Sequence, residues 1–256
     1  MASVDRKDLE AKVKKVYRMV AEKPRGKYHF EMGRRLAEKL GYPPSELDRI
    51  PEQAIDSFAG VGYHFDLAKI KEGENVLDLG SGSGTDAFFA ALKTGRKGMV
   101  VGVDMTEEQL EKAEKLKRAS NFENVSFKKG HIERLPLEGN SFDVVISNGV
   151  INLSAEKEKV FKEAGRALKK GGRLAISDIV TEKQLNQGIT CDADLWASCI
   201  GGAMQIDEYR KAIQKAGFRI VAVRENRQYE FLSQSAREAS VDFGVKSISL
   251  LAEKVK

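Results

Sequence analysis

The chain has 256 residues, 41% of them hydrophobic and 32% charged, with a net charge of +5 and a pI near 9.0. Such a composition suits a soluble globular domain with elaborations and a large core, and no apolar run reaches membrane-spanning length. The N-terminus, Met1-Ala-Ser-Val-Asp-Arg-Lys7, carries no apolar signal region, so a cytoplasmic location is expected, without a membrane partner.

Two cysteines and no C-x-x-C pattern argue against a disulfide framework or a structural zinc site. His29, His64 and His131 have no metal-ligand spacing with either cysteine, so no metal site is expected. The basic residues are dispersed, as in Lys112, Lys115 and Lys117, and most are interleaved with acids in the manner of solvated helix faces. Nucleic-acid binding predicts a concentrated basic stripe with aromatics beside it, and none is present.

Residues 5–23 have a helical pattern, with Leu9, Val13, Tyr17 and Val20 on one stripe. A second helix is predicted over 29–40, stopping before Gly41-Tyr-Pro-Pro44, and Pro51 opens a short third one. These segments precede the first core strand, so residues 1–70 are expected to form a helical cap over a ligand mouth, with Tyr17, Tyr28, Phe58 and Tyr63 as candidate lid aromatics. From Asn75 the alternation is regular: strands at 75–79, 99–103, 125–128, 142–146 and 172–177, helices at 85–94, 106–119 and 155–169. Thr106 is the expected N-cap of the second of these helices, and Asn152 reads as a helix cap or a substrate-orienting amide. Alternation of this kind means a parallel sheet with helices on both faces, assigned to residues 71–183. Residues 184–256 hold an insertion and a finishing strand pair. Thr181–Gly202 breaks the rhythm and carries both cysteines and the only tryptophan, a helix follows at 207–216, and 219–225 and 245–251 form the pair.

The most informative stretch is Asn75-Val-Leu-Asp-Leu-Gly-Ser-Gly-Ser-Gly-Thr-Asp86. A strand, a turn with Gly80, Gly82 and Gly84, and a helix start let a ligand approach the backbone at the carboxyl edge of a parallel sheet. The second strand ends in Asp104, whose carboxylate can accept hydrogen bonds from both hydroxyls of a ribose. A nucleoside-containing cofactor is therefore expected. The glycine spacing is neither G-x-G-x-x-G nor a P-loop, no lysine follows the turn, and Asp78 and Asp86 bracket it. That field repels a pyrophosphate and favours a cofactor with an ammonium and a sulfonium. S-adenosylmethionine fits, and NAD fits badly.

Over about Gly73 to Phe218 the chain resembles the class I S-adenosylmethionine-dependent methyltransferases. The resemblance rests on ordered blocks: Val76–Gly84, Val103-Asp104, Lys129-Gly-His-Ile-Glu133, Ser141–Asn148 and Leu168–Leu174. It implies an α/β Rossmann-like, doubly wound, seven-stranded and mostly parallel sheet with one antiparallel strand. It also implies cofactor contacts from Asp78, Gly80, Ser81, Gly82 and Gly84 in the first motif, and from Asp104, Met105 and Gln109 after the second strand. His131, Ile132 and Glu133 fall on the adenine side, with Glu133 the most readily solvated, and Ser147 near the amino-acid end.

Four further stretches, 55–62, 103–110, 147–154 and 195–203, look like the arsenite methyltransferase branch, in which thiolates hold trivalent arsenic while its lone pair attacks the methyl carbon. The resemblance implies a small-molecule acceptor with arsenite leading, and glutathione or another thiol as a partner. An organic acceptor and a non-catalytic sensor are the alternatives. One family cysteine falls on Cys199, another would fall on Gly149, and an N-terminal third has no counterpart. Cys199, Cys191 and Asn148 are the candidate catalytic residues. On one helix, Cys191 and Cys199 stand about 80° and about 12 Å apart, so gripping one arsenic atom requires a bend between them.

Overall fold

Val76–Leu79 (β1) is buried along its whole length, as befits a central parallel strand covered on both faces. In the computed structural model, which describes residues 5–190, 196 and 200–255, β1 pairs in parallel with Val100–Asp104 (β2) and Phe142–Asn148 (β4). Beyond these, Val125–Lys129 (β3) joins β2 and Leu168–Thr181 (β5) joins β4, again in parallel. Lys246–Lys254 (β8) runs antiparallel between β5 and Phe218–Glu225 (β7), giving the order β3-β2-β1-β4-β5-β8-β7. The seven expected strands and the single antiparallel one are thus present. An unforeseen two-residue strand, Met204–Gln205 (β6), lies against β5 and makes eight.

Strand alternation sorts the core into layers. Leu77, Leu79, Val101 and Val145 pack against Val160 and Phe161 of Lys157–Ala167 (α8) and Tyr209 and Ile213 of Ile206–Lys215 (α10). Val76, Val100, Val144 and Ile146 point the other way, toward Phe88 and Phe89 of Thr85–Thr94 (α6). The cap packs on that second face through Gly33–Leu40 (α2), Pro44–Leu47 (α3), Glu52–Asp56 (α4) and Phe65–Ala68 (α5). Arg6–Glu22 (α1) starts at Asp5, whose carboxylate accepts from Lys7 N at 2.8 Å, and it lies along Glu107–Ala119 (α7). A third cluster joins Leu9 and Val13 of α1 to Val61, Leu153, Trp196 and Ile200 above the carboxyl edge. The last helices are Gln187–Thr190 (α9) and Gln234–Phe243 (α11), the latter unforeseen between β7 and β8.

Several boundaries differ from the sequence reading for identifiable reasons. Residues 29–32 are not helical, because Phe30 turns back to stack on Tyr17 and Tyr28, and α2 begins only at Gly33. Helix α8 stops at Ala167 and β5 begins at once, so residues 168–171 extend the strand. Thr106 occupies the N-cap position of α7, but its side chain makes no capping bond; Asp104 Oδ1 accepts from the Thr106 amide instead, at 2.8 Å. Asn152 caps no helix and sits in a short 3₁₀ turn, Ile151–Leu153. Among the described residues no helix is long and apolar enough to cross a membrane.

Candidate active site

The sheet order reverses between β1 and β4, and a crevice at the carboxyl ends of such strands is the ligand position of doubly wound sheets. A cavity of about 370 Å³ opens there. The turn Gly80–Ser83 forms its floor, Asp104-Met105 and His131–Glu133 one wall, and Asn148 and Val150 the other. Leu9, Val13 and Tyr17 of α1, with Phe58, close it from above. Tyr28 and Tyr63 do not line it: the Tyr28 hydroxyl donates to Met19 O at 2.7 Å, and Tyr63 packs on Tyr42. Gly80 has φ +74°, and a Cβ there would lie 2.5 Å from both methyls of Val150, so only glycine suits the turn.

Three carboxylates surround that turn. Asp78 projects on the α6 side of β1 and is 2% exposed. The Ala87 amide donates to it, yet its Oδ2 has no hydrogen-bond partner. The neighbouring Ser81 Oγ is also buried without a partner. Asp86, in the first turn of α6, accepts from the Tyr42 hydroxyl at 2.6 Å and from Asn148 Nδ2 at 3.0 Å. Asp104 Oδ2 accepts from Gly82 N at 2.9 Å, opposite its bond to Thr106.

Burial raises all three acids. Asp78 rises well above the usual carboxylate range, first from burial and then from the charges of Asp86 and Asp104. Asp86 is pushed up to about 6 by burial, against the pull of Tyr42 and Asn148. Asp104 is raised by burial, which outweighs the amides of Thr106 and Gly82. The arginines among the lining residues, Arg6 and Arg134, are both exposed, and Arg6 bridges Glu156 at 2.9 Å. The site is built for a ligand that brings positive charge and hydroxyl donors.

The expected contact residues fall into distinct positions. Asp78, Gly80, Ser81, Gly82, Asp104 and Met105 line the cavity, as do His131, Ile132 and Glu133. Glu133 is half-buried and accepts from Ser154 Oγ at 2.5 Å, so it is not merely solvated. Gln109 also lines the cavity, but its amide bridges protein groups: Oε1 accepts from Ser83 Oγ at 2.5 Å and Nε2 donates to Tyr17 O at 2.8 Å. Gly84 is the N-cap of α6 behind the turn. Ser147 is not brought into the cavity. It shares strand parity with Val145, and its hydroxyl donates to Leu79 O at 2.9 Å.

Asn148 reaches the cavity, yet its amide is held by the protein. Its Oδ1 accepts from Val61 N at 2.8 Å, and its Nδ2 faces Gly62 O, Asp86 and the Tyr42 hydroxyl at 3.0–3.1 Å. Cys191 and Cys199 lie outside the described residues. Tyr42 and the coupling of Asp86 to it were missed by the sequence reading; only the placement of Asp86 at the turn hinted at a role.

Sheet order, glycine turn and acid-lined cavity together define a Rossmann-like protein of the methyltransferase class. Residues 70–217 match the family model described as a methyltransferase domain. An arsenic(III) S-adenosylmethionine methyltransferase from Chlamydomonas reinhardtii has a solved structure that matches with a TM-score of 0.70 at 34% identity, covering 84% of this chain and 75% of that one. The chain belongs to the S-adenosylmethionine-dependent methyltransferases, on the arsenite methyltransferase branch. The arsenite methyltransferase of Halobacterium salinarum is 38% identical over 221 residues, 86% of this chain and 56% of that one. The human arsenite methyltransferase is 43% identical over 152 residues, 56% of this chain and 40% of that one. The chain thus spans about half the length of the curated relatives it matches.

S-adenosylmethionine carries an ammonium, a sulfonium and a ribose, and the residues present fit it. The orphaned Asp78 oxygen and the Ser81 hydroxyl can receive the amino-acid end, and Asp104 lies one strand away for the ribose.

Proposed function

We propose that the chain transfers a methyl group from S-adenosylmethionine to trivalent arsenic held by thiolates. The observation that carries this reading is the unpartnered, buried Asp78 carboxylate oxygen at the switch point of the sheet, taken with relatives that are arsenite methyltransferases. When bound, S-adenosylmethionine supplies a methyl group on a sulfonium centre, whose bonding electrons stay with sulfur as the acceptor's lone pair takes the carbon.

In this reading Asp78 and Ser81 take the amino-acid end, while Gly80, Gly82 and Gly84 keep the turn close to the ligand. Asp104 receives the ribose hydroxyls, Met105 and Ile132 flank the base, and His131 and Glu133 stand at its edge. Gln109 and Ser147 act through the turn and the sheet rather than by contact. Asn148 is a positioning residue, since its amide ties the Val61-Gly62 backbone to Asp86. Helix α1 excludes water from above, which strengthens every electrostatic interaction in the cavity. Cys199 and Cys191 are the candidate arsenic thiolates, with glutathione or another small thiol completing the set, in a reducing cytoplasm and without a nucleic-acid or membrane partner. The cap over 1–70 covers the cofactor, the core over 71–183 holds it, and 184–256 supplies the acceptor side.

Gly149 supports a second reading, an organic acceptor, because the resemblance expects a cysteine there. One assay separates the two. Purified protein is given S-adenosylmethionine, arsenite and excess glutathione, and methylated arsenic is measured by chromatography with mass detection. We expect product from the wild type and none from Cys199→Ser with cofactor affinity retained. No product despite confirmed cofactor binding moves the acceptor to an organic molecule.

A further inference from the structure

Lys157 stands in the first turn of α8, where the helix dipole disfavours a cation, and only 5% of it is exposed. A lysine so placed ordinarily swings its ammonium to water. Here Nζ donates to Ser154 O at 2.6 Å and lies 4.9 Å from the ring centroid of Trp196. Burial draws its pKa down to about 8, against the charges of Asp178 and Glu133. Asp178 is itself occupied, accepting from the Tyr209 hydroxyl at 2.6 Å and from Ile179 N at 2.9 Å.

The two partners of Lys157 come from different segments of the chain. The hydroxyl of Ser154 holds Glu133, and both residues line the cofactor cavity. Trp196 is the chain's only tryptophan and lies in sequence between Cys191 and Cys199. Its Nε1 donates to Thr190 O at 2.8 Å, and its ring packs with Leu153, Leu185 and Ile200. The fit is close: a Cβ on Gly202 would come within 1.9 Å of Asn152 O and 2.7 Å of the indole. Lys157 is not among the residues that line the cavity, so its contacts join the cavity wall at Ser154 to Trp196 behind it.

We propose that Lys157 is a positioning residue that seats Trp196 of the proposed acceptor segment, by a cation–π contact on one side and the Ser154 carbonyl on the other, and so ties this indole to the wall of the cofactor cavity. The proposal rests on the reading of that segment as the acceptor side. Single-tryptophan fluorescence tests the contact directly. In Lys157→Met, acrylamide quenching of Trp196 rises about twofold as the indole loosens, and Lys157→Arg, which keeps the cation, stays near the wild type. S-adenosylhomocysteine affinity by calorimetry stays within about threefold, while KM for arsenite with glutathione rises about tenfold, with kcat changing less. Should Lys157→Met not fold, Trp196→Phe gives the same split, with KM raised and cofactor affinity kept. Unchanged quenching in Lys157→Met, or cofactor affinity falling as far as KM rises, overturns the proposal. If the wild type forms no methylated arsenic, the arsenite reading fails and the quenching comparison alone decides the contact.

Discussion

Asp78→Asn separates a binding role from a structural one, because the two effects have opposite signs. In the free protein Asp78 is 2% exposed, its Oδ2 has no partner, and Asp86 and Asp104 press on it with like charge. A buried unsatisfied polar group costs about 1–3 kcal/mol. The amide oxygen of asparagine can keep the Ala87 bond, and the substitution removes the charge repulsion. We expect the free variant to be more stable at neutral pH by about 1 kcal/mol, or about 2–4 °C in melting midpoint. Because the folded-state pKa of Asp78 is raised, folding takes up a proton there, and the wild type loses stability as pH rises above the unfolded carboxyl value. The variant's advantage therefore grows with pH and disappears near about pH 4. Binding moves the other way. A lost charge-assisted hydrogen bond costs about 1.5–3 kcal/mol, which weakens S-adenosylhomocysteine about 10–100-fold. Calorimetric titration and thermal unfolding across pH measure both quantities. Unchanged affinity, or a free variant less stable than the wild type at neutral pH, would refute the assignment.

Tyr42→Phe removes the hydroxyl that donates to Asp86 at 2.6 Å, a bond that favours the ionised carboxylate. With Asp86 pushed up to about 6, the cost of about 1.5–3 kcal/mol should be full above that pH and shrink as pH falls through it. Urea unfolding at about pH 7.5 and about pH 5 checks this, and equal costs at both would contradict it. Gly80→Ala should cost about 1–2 kcal/mol for its left-handed backbone and about 1–3 more for the clash with Val150, with cofactor binding lost alongside. Adding Val150→Ala should recover most of the steric part and none of the backbone part, since only the Val150 Cβ, 2.9 Å away, still crowds the new methyl. Full recovery in that double variant would show that the backbone conformation carries no cost.

The strands and the glycine turn were legible because their causes are local. Val76, Leu77 and Leu79 announce a buried strand, three glycines announce a turn, and Asp78 and Asp104 follow from the sheet order that the alternation implies. Tyr42 was not legible, since it meets Asp86 across 44 residues of sequence and nothing periodic marks the docking of cap on core. The amide of Asn148 is likewise held by Val61 and Gly62, more than 80 residues away. That is why a residue suited to contact with substrate is a tie between loops. Ser147 is a different case, because a signal existed. Counting parity along β4 puts it with Val145 on the α8 face, whereas Asn148 shares the α6 face with Val144 and Ile146. The family's block pattern carried Ser147 toward the cofactor, whereas strand alternation turns its side chain to the face away from the cavity lining.

Position 149 carries the sharpest test of where the thiols come from. The arsenite branch resemblance expects a cysteine there, but Gly149 has φ +72°, and its amide donates to Ser177 O at 2.8 Å. A side chain in the left-handed region costs about 1–2 kcal/mol. A Cβ would stand 3.1 Å from Val61 Cγ1, which Val61 can relieve by shifting a few tenths of an ångström. Against a typical stability of about 5–15 kcal/mol that strain is tolerable, so Gly149→Cys should fold with a midpoint lowered by about 2–8 °C. If glutathione completes the arsenic ligand set in the proposed reaction, a thiol fixed at 149 replaces it in cis, at an effective concentration of about millimolar or above. The glutathione concentration needed for half-maximal arsenite methylation should then fall about tenfold in Gly149→Cys. Gly149→Ala bears the same backbone strain without sulfur, and its glutathione requirement should match the wild type. Equal requirements in the cysteine and alanine variants would mean that position 149 cannot reach the arsenic, and that this chain gathers its thiolates elsewhere.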